Sequence, residues 1–253
     1  MKILICSDFH GKLSLIDPML KVFREISPDL ISFNGDVVKG KARGTLWLKS
    51  KADGRKPDPD APEIIRESEE DHHTYQSFFE ALNKIGVPVM VVPGNMDAPE
   101  RLFFSHLFHY ELTLNNIRLV QENILFYEGF FFGGFGGEIT EELSEDHFVL
   151  QYPVEKIRFC MRKISYLDGE KILIFHTPPK CKLDYEKGIH KGSDRVNELI
   201  EWIRPDFVFC GHAHHARGEE WLGKSLIINP GALKEGFFAI LDTEKSKISF
   251  KNI

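Results

Sequence analysis

The chain has 253 residues, 42% hydrophobic and 28% charged, with a net charge of −6, which suits one large domain over 1–253 and disfavours a surface for binding nucleic acid. No apolar run approaches the roughly 18–20 residues of a membrane span, so no membrane partner is expected. The four cysteines, Cys6, Cys160, Cys181 and Cys210, show no CxxC spacing, which argues against a zinc ribbon or a disulfide framework.

From the N-terminus, Lys2-Ile3-Leu4-Ile5-Cys6 reads as a buried strand. It lacks the charged, apolar and small-residue regions of a secretory signal, so a cytoplasmic location is expected. After a polar turn, Leu13, Leu15, Ile16, Met19, Leu20 and Phe23 fall at helical spacing, and Leu30 to Phe33 is a second short strand. A charged insertion covers about 40–75. Within it, residues 49–73 carry both signs of charge with Pro57, Pro59 and Pro62, a composition that predicts a solvated surface segment with local disorder. The sharper reading of that segment is a lid or an oligomer contact beside an active site. From about Ile64 to Ile85 the spacing predicts a helix with Phe78, Leu82 and Ile85 on one face, followed by a strand from Val87 to Val92.

Alternation of strands and helices marks βα units and an α/β class. In the second half, Ile117–Gly137, Lys171–Phe175, Asp206–Cys210, Leu226–Asn229, Phe237–Asp242 and Ile248–Lys251 read as strands, with one helix near Ser193 to Ile203. Two sheets packed face to face with helices outside are expected. The run Gly133-Gly134-Phe135-Gly136-Gly137 lacks the Lys-Ser/Thr of a phosphate loop and is read as a backbone bend. Phe103-Phe104 and Phe130 to Phe132 are read as core or subunit contact, which leaves a homo-oligomer open.

Five turns that follow apolar strands hold groups that are costly to bury alone: Asp8 with His10, Asp36, Asn95 with Asp97, His176, and His212 with His214. Carboxylates, imidazoles and an amide oxygen, with no thiolate among them, suit two divalent cations. The spacing of two in Asp8-Phe9-His10 and His212-Ala213-His214 brings each pair of side chains to one side. Asp36, after the flexible Gly35, has enough lone pairs to bridge two ions. Singly, each of these residues reads as a turn, cap or structural histidine. Their joint placement at strand ends is what argues for a site. Thr177 is a candidate hydrogen-bond partner for His176, and Pro178-Pro179 would fix the chain direction after it. Such a donor set accepts manganese, iron, nickel, zinc or cobalt, with manganese the working expectation.

Asp8-x-His10, Gly35-Asp36, Gly94-Asn95-Met96-Asp97, His176 and Gly211-His212-x-His214, in that order, resemble the calcineurin-like metallophosphoesterase signature. The resemblance implies a four-layer α/β/β/α sandwich of two mixed sheets. It also implies two ions, one on Asp8, His10 and His214, the other on Asn95, His176 and His212, with Asp36 on both. A water or hydroxide bridging them would attack a small phosphoester, and Asn95, Asp97 and His212 are the expected catalytic residues. Two divalent ions lower the pKa of bound water from about 15.7 toward neutrality and clamp the oxygens of an in-line displacement.

One position departs from the pattern. Many relatives have a histidine after Gly-Asn that can protonate the leaving oxygen, and here Met96 stands in its place. A thioether has no titratable proton, which points to a phosphodiesterase acting on aryl esters or cyclic nucleotides. Met96 is also the best support for an alternative, a protein-binding scaffold whose metal chemistry has lapsed. A metallonuclease is weakened by the lack of a basic stripe. His190 and His215 are read as surface histidines rather than as a replacement acid, and His72, His73, His106, His109 and His147 as surface or core-edge residues.

Overall fold

A strand that is apolar on both faces must be covered on both, and that requirement organises this chain. In the computed structural model, which describes residues 1–141 and 144–253, the first half consists of β1 (Lys2–Cys6), α1 (Ile16–Ile26), β2 (Leu30–Phe33), α2 (Lys41–Ala52), α3 (Pro62–Asn83), β3 (Val89–Val91), α4 (Glu100–Thr113) and β4 (Ile117–Leu119). Next come β5 (Ile124–Tyr127), β6 (Phe130–Phe135), β7 (Glu138–Thr140), β8 (Gln151–Pro153), α5 (Val154–Ser165) and β9 (Glu170–Phe175). The last third contains β10 (Tyr185–Glu186), β11 (Ile189–His190), α6 (Asp194–Ile203), β12 (Phe207–Phe209), β13 (Gly218–Leu222), β14 (Ser225–Asn229), β15 (Phe237–Asp242) and β16 (Lys247–Asn252).

One six-stranded sheet has the order β16-β15-β1-β2-β3-β4 and the other β13-β14-β12-β9-β6-β5. Both are mixed: β1 to β4 are parallel with β15 and β16 antiparallel, and β14, β12, β9 and β6 are parallel with antiparallel edges β13 and β5. Alternation along the strands sends successive side chains to opposite faces. Leu4, Cys6, Ile31 and Phe33 pack under α1 and α3 through Phe23 and Phe78. Ile3, Ile5 and Leu30 point the other way and meet Ile172, Ile174, Phe207 and Phe209 of the second sheet. The far face of that sheet, with Leu173, Phe175 and Val208, is covered by α5 and α6 through Ile157, Met161 and Leu199. The result is an α/β/β/α sandwich with three apolar seams.

Residues 49–73 differ from the expected disordered surface segment. They belong to the end of α2, a connection, and the first half of α3. Most of the segment's charges are exposed, as a surface segment requires, and it is ordered because two of them, Glu67 and Asp71, are buried against Arg43. Arg43, 1% exposed, donates through Nη1 to Asp71 Oδ2 at 2.6 Å and lies 3.4 Å from Glu67 Oε2. The Glu67 carboxylate also accepts the amides of Ala42 at 2.7 Å and Arg43 at 2.9 Å, capping α2 from a neighbouring helix because its N-cap, Gly40, has no side chain. The stretch 117–137, read as strand, divides between the two sheets: β4 closes the first and β5–β6 lie in the second. The helices α4 and α5 were not read from the sequence: aromatic residues on several faces of α4 hide its period, whereas α5 has Val154, Ile157, Met161 and Ile164 at helical spacing. Among the described residues, no helix is long and apolar enough to cross a membrane.

Arg43→Ala leaves Glu67 and Asp71 buried without a counter-charge. It is expected to destabilise the protein by about 3–5 kcal/mol, measured as a fall in the denaturant midpoint, with no loss of stability counting against the buried pairing.

Candidate metal centre

Parallel strands of both sheets end at one edge of the sandwich, where ligand sites of open α/β sheets gather. The turn after β1 carries Asp8 and His10, that after β2 Asp36, that after β3 Asn95 and Asp97, that after β9 His176, and that after β12 His212 and His214. Four of these residues have left-handed backbone: Asp8 (φ 59°), His10 (φ 46°), Asp36 (φ 62°) and His212 (φ 64°). Non-glycine residues rarely adopt it, and it persists where surrounding bonds impose it. Here the amides of Asp8 and His10 donate to the carbonyls of Gly35 (2.8 Å) and Asp36 (3.0 Å), and the Gly211 amide to His176 O (3.0 Å). Close approach of the turns also demands glycine. A Cβ on Gly94 would lie 2.0 Å from Asp36 Oδ1, and one on Gly211 2.1 Å from Ser7 Oγ.

All seven residues read from the sequence as metal ligands meet in one place. His214 Nε2 lies 3.1 Å from Asp8 Oδ1 and 3.1 Å from His10 Nε2. His10 Nε2 is 3.7 Å from Asp8 Oδ1 and 3.5 Å from Asp36 Oδ2. On the other side, Asn95 Oδ1 is 3.0 Å from His176 Nε2 and 3.2 Å from His212 Nδ1. Asp36 Oδ2 reaches both halves, at 3.4 Å from His176 Nε2. Asp8, His10, Asp36 and His214 offer one donor atom each, all within 4.8 Å of one another, a set able to hold an ion.

Two observations test whether cations fit. Asp8 is fully buried, and its Oδ1 makes no hydrogen bond among the described residues. Its other oxygen accepts from the Ser7 hydroxyl and the His212 amide. His176 Nδ1 lies 2.8 Å from Asn34 O, and a carbonyl only accepts, so the ring donates there and a neutral ring directs the Nε2 lone pair at Asn95 Oδ1 and Asp36 Oδ2. Electron-rich atoms facing one another across these distances suit a cation.

The electrostatics follow the same geometry. Burial would lower the His176 pKa, yet the Asp36 carboxylate, with Asp8 and the Asn34 carbonyl, holds it up at about 9; without a metal ion the ring carries a proton on Nε2, at the position where a bound cation would replace it and leave the ring neutral. Burial and the neighbouring His176 push His212 down to about 3, the state of a neutral ligand. Asp8 stays well below the usual carboxylate range despite its burial because the His10 and His214 imidazoles lie beside it.

Two expectations change, and the surface histidines gain partners. Asp97, expected among the catalytic residues, is fully buried and accepts five donors: the amides of Gly94 (2.7 Å), Asp36 (2.9 Å), Val37 (2.9 Å) and Val38 (3.2 Å), and the Tyr75 hydroxyl (3.2 Å). It ties two turns and α3 together beneath the site, so it is a positioning residue. Thr177 donates to Gly137 O at 2.9 Å; the partner of the His176 ring is Asn34 O, which sequence reasoning missed because a backbone carbonyl leaves no residue-type signal. His190 and His215 are at the surface as expected, but each is paired, with Asp184 (2.9 Å) and Glu186 (2.7 Å). Met96 also has a structural role: its Sδ accepts from Asn95 Nδ2 at 3.5 Å, turning the amide oxygen toward the two rings.

Comparison with known proteins places this geometry. Residues 1–253 match the family model described as metallophosphoesterase, calcineurin superfamily. The chain is 26% identical over 166 residues to an uncharacterized protein, MJ1162, of Methanocaldococcus jannaschii, a match covering 63% of this chain and 70% of that one. Its structure is similar to TT1561 of Thermus thermophilus, with a TM-score of 0.77 and 28% identity over 99% of this chain and 98% of that one. It also resembles a dimetal phosphatase from Danio rerio, LOC 393393, with a TM-score of 0.63, covering 100% of this chain and 95% of the other. There the identity is 12%, and the likeness is one of fold.

Gly94→Ala tests the packing of the turns, because the added methyl displaces Asp36 without removing any donor. Manganese binding is expected to weaken about 10- to 100-fold in calorimetry while the circular dichroism spectrum stays folded. Unaltered affinity would show that the approach of the two turns is not what sets the site.

Proposed function

The chain belongs to the metallophosphoesterases of the calcineurin superfamily, and from that premise we propose that it is a phosphodiesterase working with two divalent metal ions. Asp8, His10 and His214 would hold one ion, Asn95, His176 and His212 the other, and Asp36 both. The observation that carries this reading is the convergence of those electron-rich atoms with Asp8 Oδ1 left without a hydrogen bond. Two such ions would acidify a bound water and place positive charge beside the phosphoryl oxygens. In the overall step the water oxygen bonds to phosphorus, the P–O bond to the leaving group breaks, and the water proton passes to the leaving oxygen or to solvent.

The chain's own residues set the geometry for that step. Asn34 O fixes the His176 ring, Asp97 fixes the Asp36 and Gly94 turns, and Met96 orients Asn95. Met96 supplies no proton, so leaving groups that depart readily as anions are favoured. Its presence is the feature that would suit a lapsed scaffold. That feature has a structural account, since the Met96 methyl fills a notch in front of α2 where a Cβ on Gly40 or Gly44 would come within 2.7 or 3.0 Å of it. Manganese is the metal proposed.

A screen of phosphomonoesters, linear diesters and cyclic nucleotides with added manganese tests the proposal. Turnover greatest on diesters, lost on chelation and restored by metal, is expected; bound metal absent together with no turnover on any ester would overturn it. Met96→His is expected to raise turnover of alkyl diesters at least about tenfold more than that of aryl diesters, read as kcat. An equal change on both would refute the leaving-group argument.

A further inference from the structure

The cavity onto which His10, Asp36, Asn95, His212 and His214 face has a volume of about 630 Å³, and Lys39, Lys41, Lys191 and Lys234 open onto it. Lysine ion pairs elsewhere in the molecule use Lys156, Lys180, Lys182, Lys224 and Lys245. Among the described residues these four cavity lysines have no carboxylate within 4.0 Å. In a chain of net charge −6, four unpaired cations around one cavity are a local concentration of positive potential.

Buried groups set the backbone beside two of them, Lys191 and Lys41. Asp184, fully buried, accepts from the Gly192 amide at 3.0 Å through its carboxylate, and its carbonyl accepts the Lys191 amide at 2.8 Å; this sets the hairpin that presents Lys191. Lys41 opens α2, and Glu67 pins that helix end. Cations at a helix N-terminus oppose the dipole, so Lys39 and Lys41 do not serve helix stability. Lys234 lies within electrostatic reach of His10, and Lys191 of His212, so positive charge flanks both halves of the centre.

Formal charge shows what these lysines are for. Two divalent ions against Asp8, Asp36 and a hydroxide would leave a surplus of one positive charge, which one phosphodiester group neutralises. Four lysines beyond that call for further anionic groups on the ligand. Trp47, Leu48, Met96 and Val149 form an apolar wall on the α2 side of the same cavity, with Leu48 61% exposed. Met96 fits the same ligand. A leaving group that is itself a phosphate departs as a stable anion, its second pKa being about 6, and needs no acid.

Resting on the phosphoesterase reading of this site, we propose that the substrate is a nucleotide-type pyrophosphate diester: two esterified phosphates joined by the oxygen bridge that is cleaved, with an apolar moiety against Trp47 and Leu48. Lys39, Lys41, Lys191 and Lys234 are its specificity determinants. Water oxygen bonds to one phosphorus, the bridging P–O bond breaks with its electron pair on the departing phosphate, and a proton is released.

The test compares two substrates with added manganese, bis-p-nitrophenyl phosphate and two adenosines joined 5′ to 5′ through pyrophosphate, for the wild type and for the double variant Lys41→Gln, Lys191→Gln. Calorimetry with inorganic pyrophosphate on the metal-free protein is a second readout. Wild type is expected to prefer the pyrophosphate diester in kcat/KM. In the variant the preference and the pyrophosphate affinity are each expected to fall about tenfold. Hydrolysis of both substrates with an unaltered ratio and unaltered pyrophosphate binding overturns the proposal and leaves the phosphoesterase reading standing. Lysine-dependent pyrophosphate binding without turnover of either substrate supports recognition by the lysines and overturns the phosphoesterase reading instead.

Discussion

Carboxylate, imidazole and amide lone pairs that face one another inside a protein repel unless a cation lies among them, and much of this molecule's architecture serves to hold them in that opposition. The polar atoms of Asp8, His10, Asp36, Asn95, His176, His212 and His214 approach to between 3.0 and 3.7 Å. No local preference of the chain would bring them there. Four of the residues that compose the centre and its turns have left-handed backbone, a conformation that costs energy and that cross-turn hydrogen bonds impose.

Asp97 is the hub of that imposition. One buried carboxylate takes up amides from two turns and a hydroxyl from α3. The strand-end loops are thus joined by charge-assisted bonds in a medium of low dielectric, where such bonds are strong. Gly35, with φ 96°, and Gly94 let the two backbones touch: a Cβ on Gly35 would lie 2.4 Å from the Gly94 nitrogen.

The charged insertion is a second layer of the same design. Arg43, Glu67 and Asp71 lock α2 against α3, Arg43 Nη2 lies 3.3 Å from the Met96 carbonyl, and the Met96 side chain packs toward Gly40 and Gly44. The helix that walls the cavity is therefore tied to the loop bearing Asn95. The proposed metal centre and the cavity wall thus share one set of contacts.

The α/β class, the main core strands and the residue types that meet at the strand ends were legible from the chain alone. Period-two apolar runs and isolated Asp, His and Asn residues at their ends are local signals, carried by neighbouring positions. The strand pattern also suggested two packed sheets, and the family resemblance added the assignment of ligands to two ions. What tertiary structure alone decided involves groups distant in sequence or without a residue-type signal. Asn34 O beneath His176 is a backbone atom, and Asp97 turned away from the cavity because four amides from two turns were there to receive it. Residues 49–73 look solvated by composition, yet the charges of Glu67 and Asp71 lie 3.4 and 2.6 Å from Arg43 on another helix. Lysines from three separate stretches surround one cavity only after the sheets have packed. Pairing and convergence are properties of distances between remote residues, and those distances come into being with the fold.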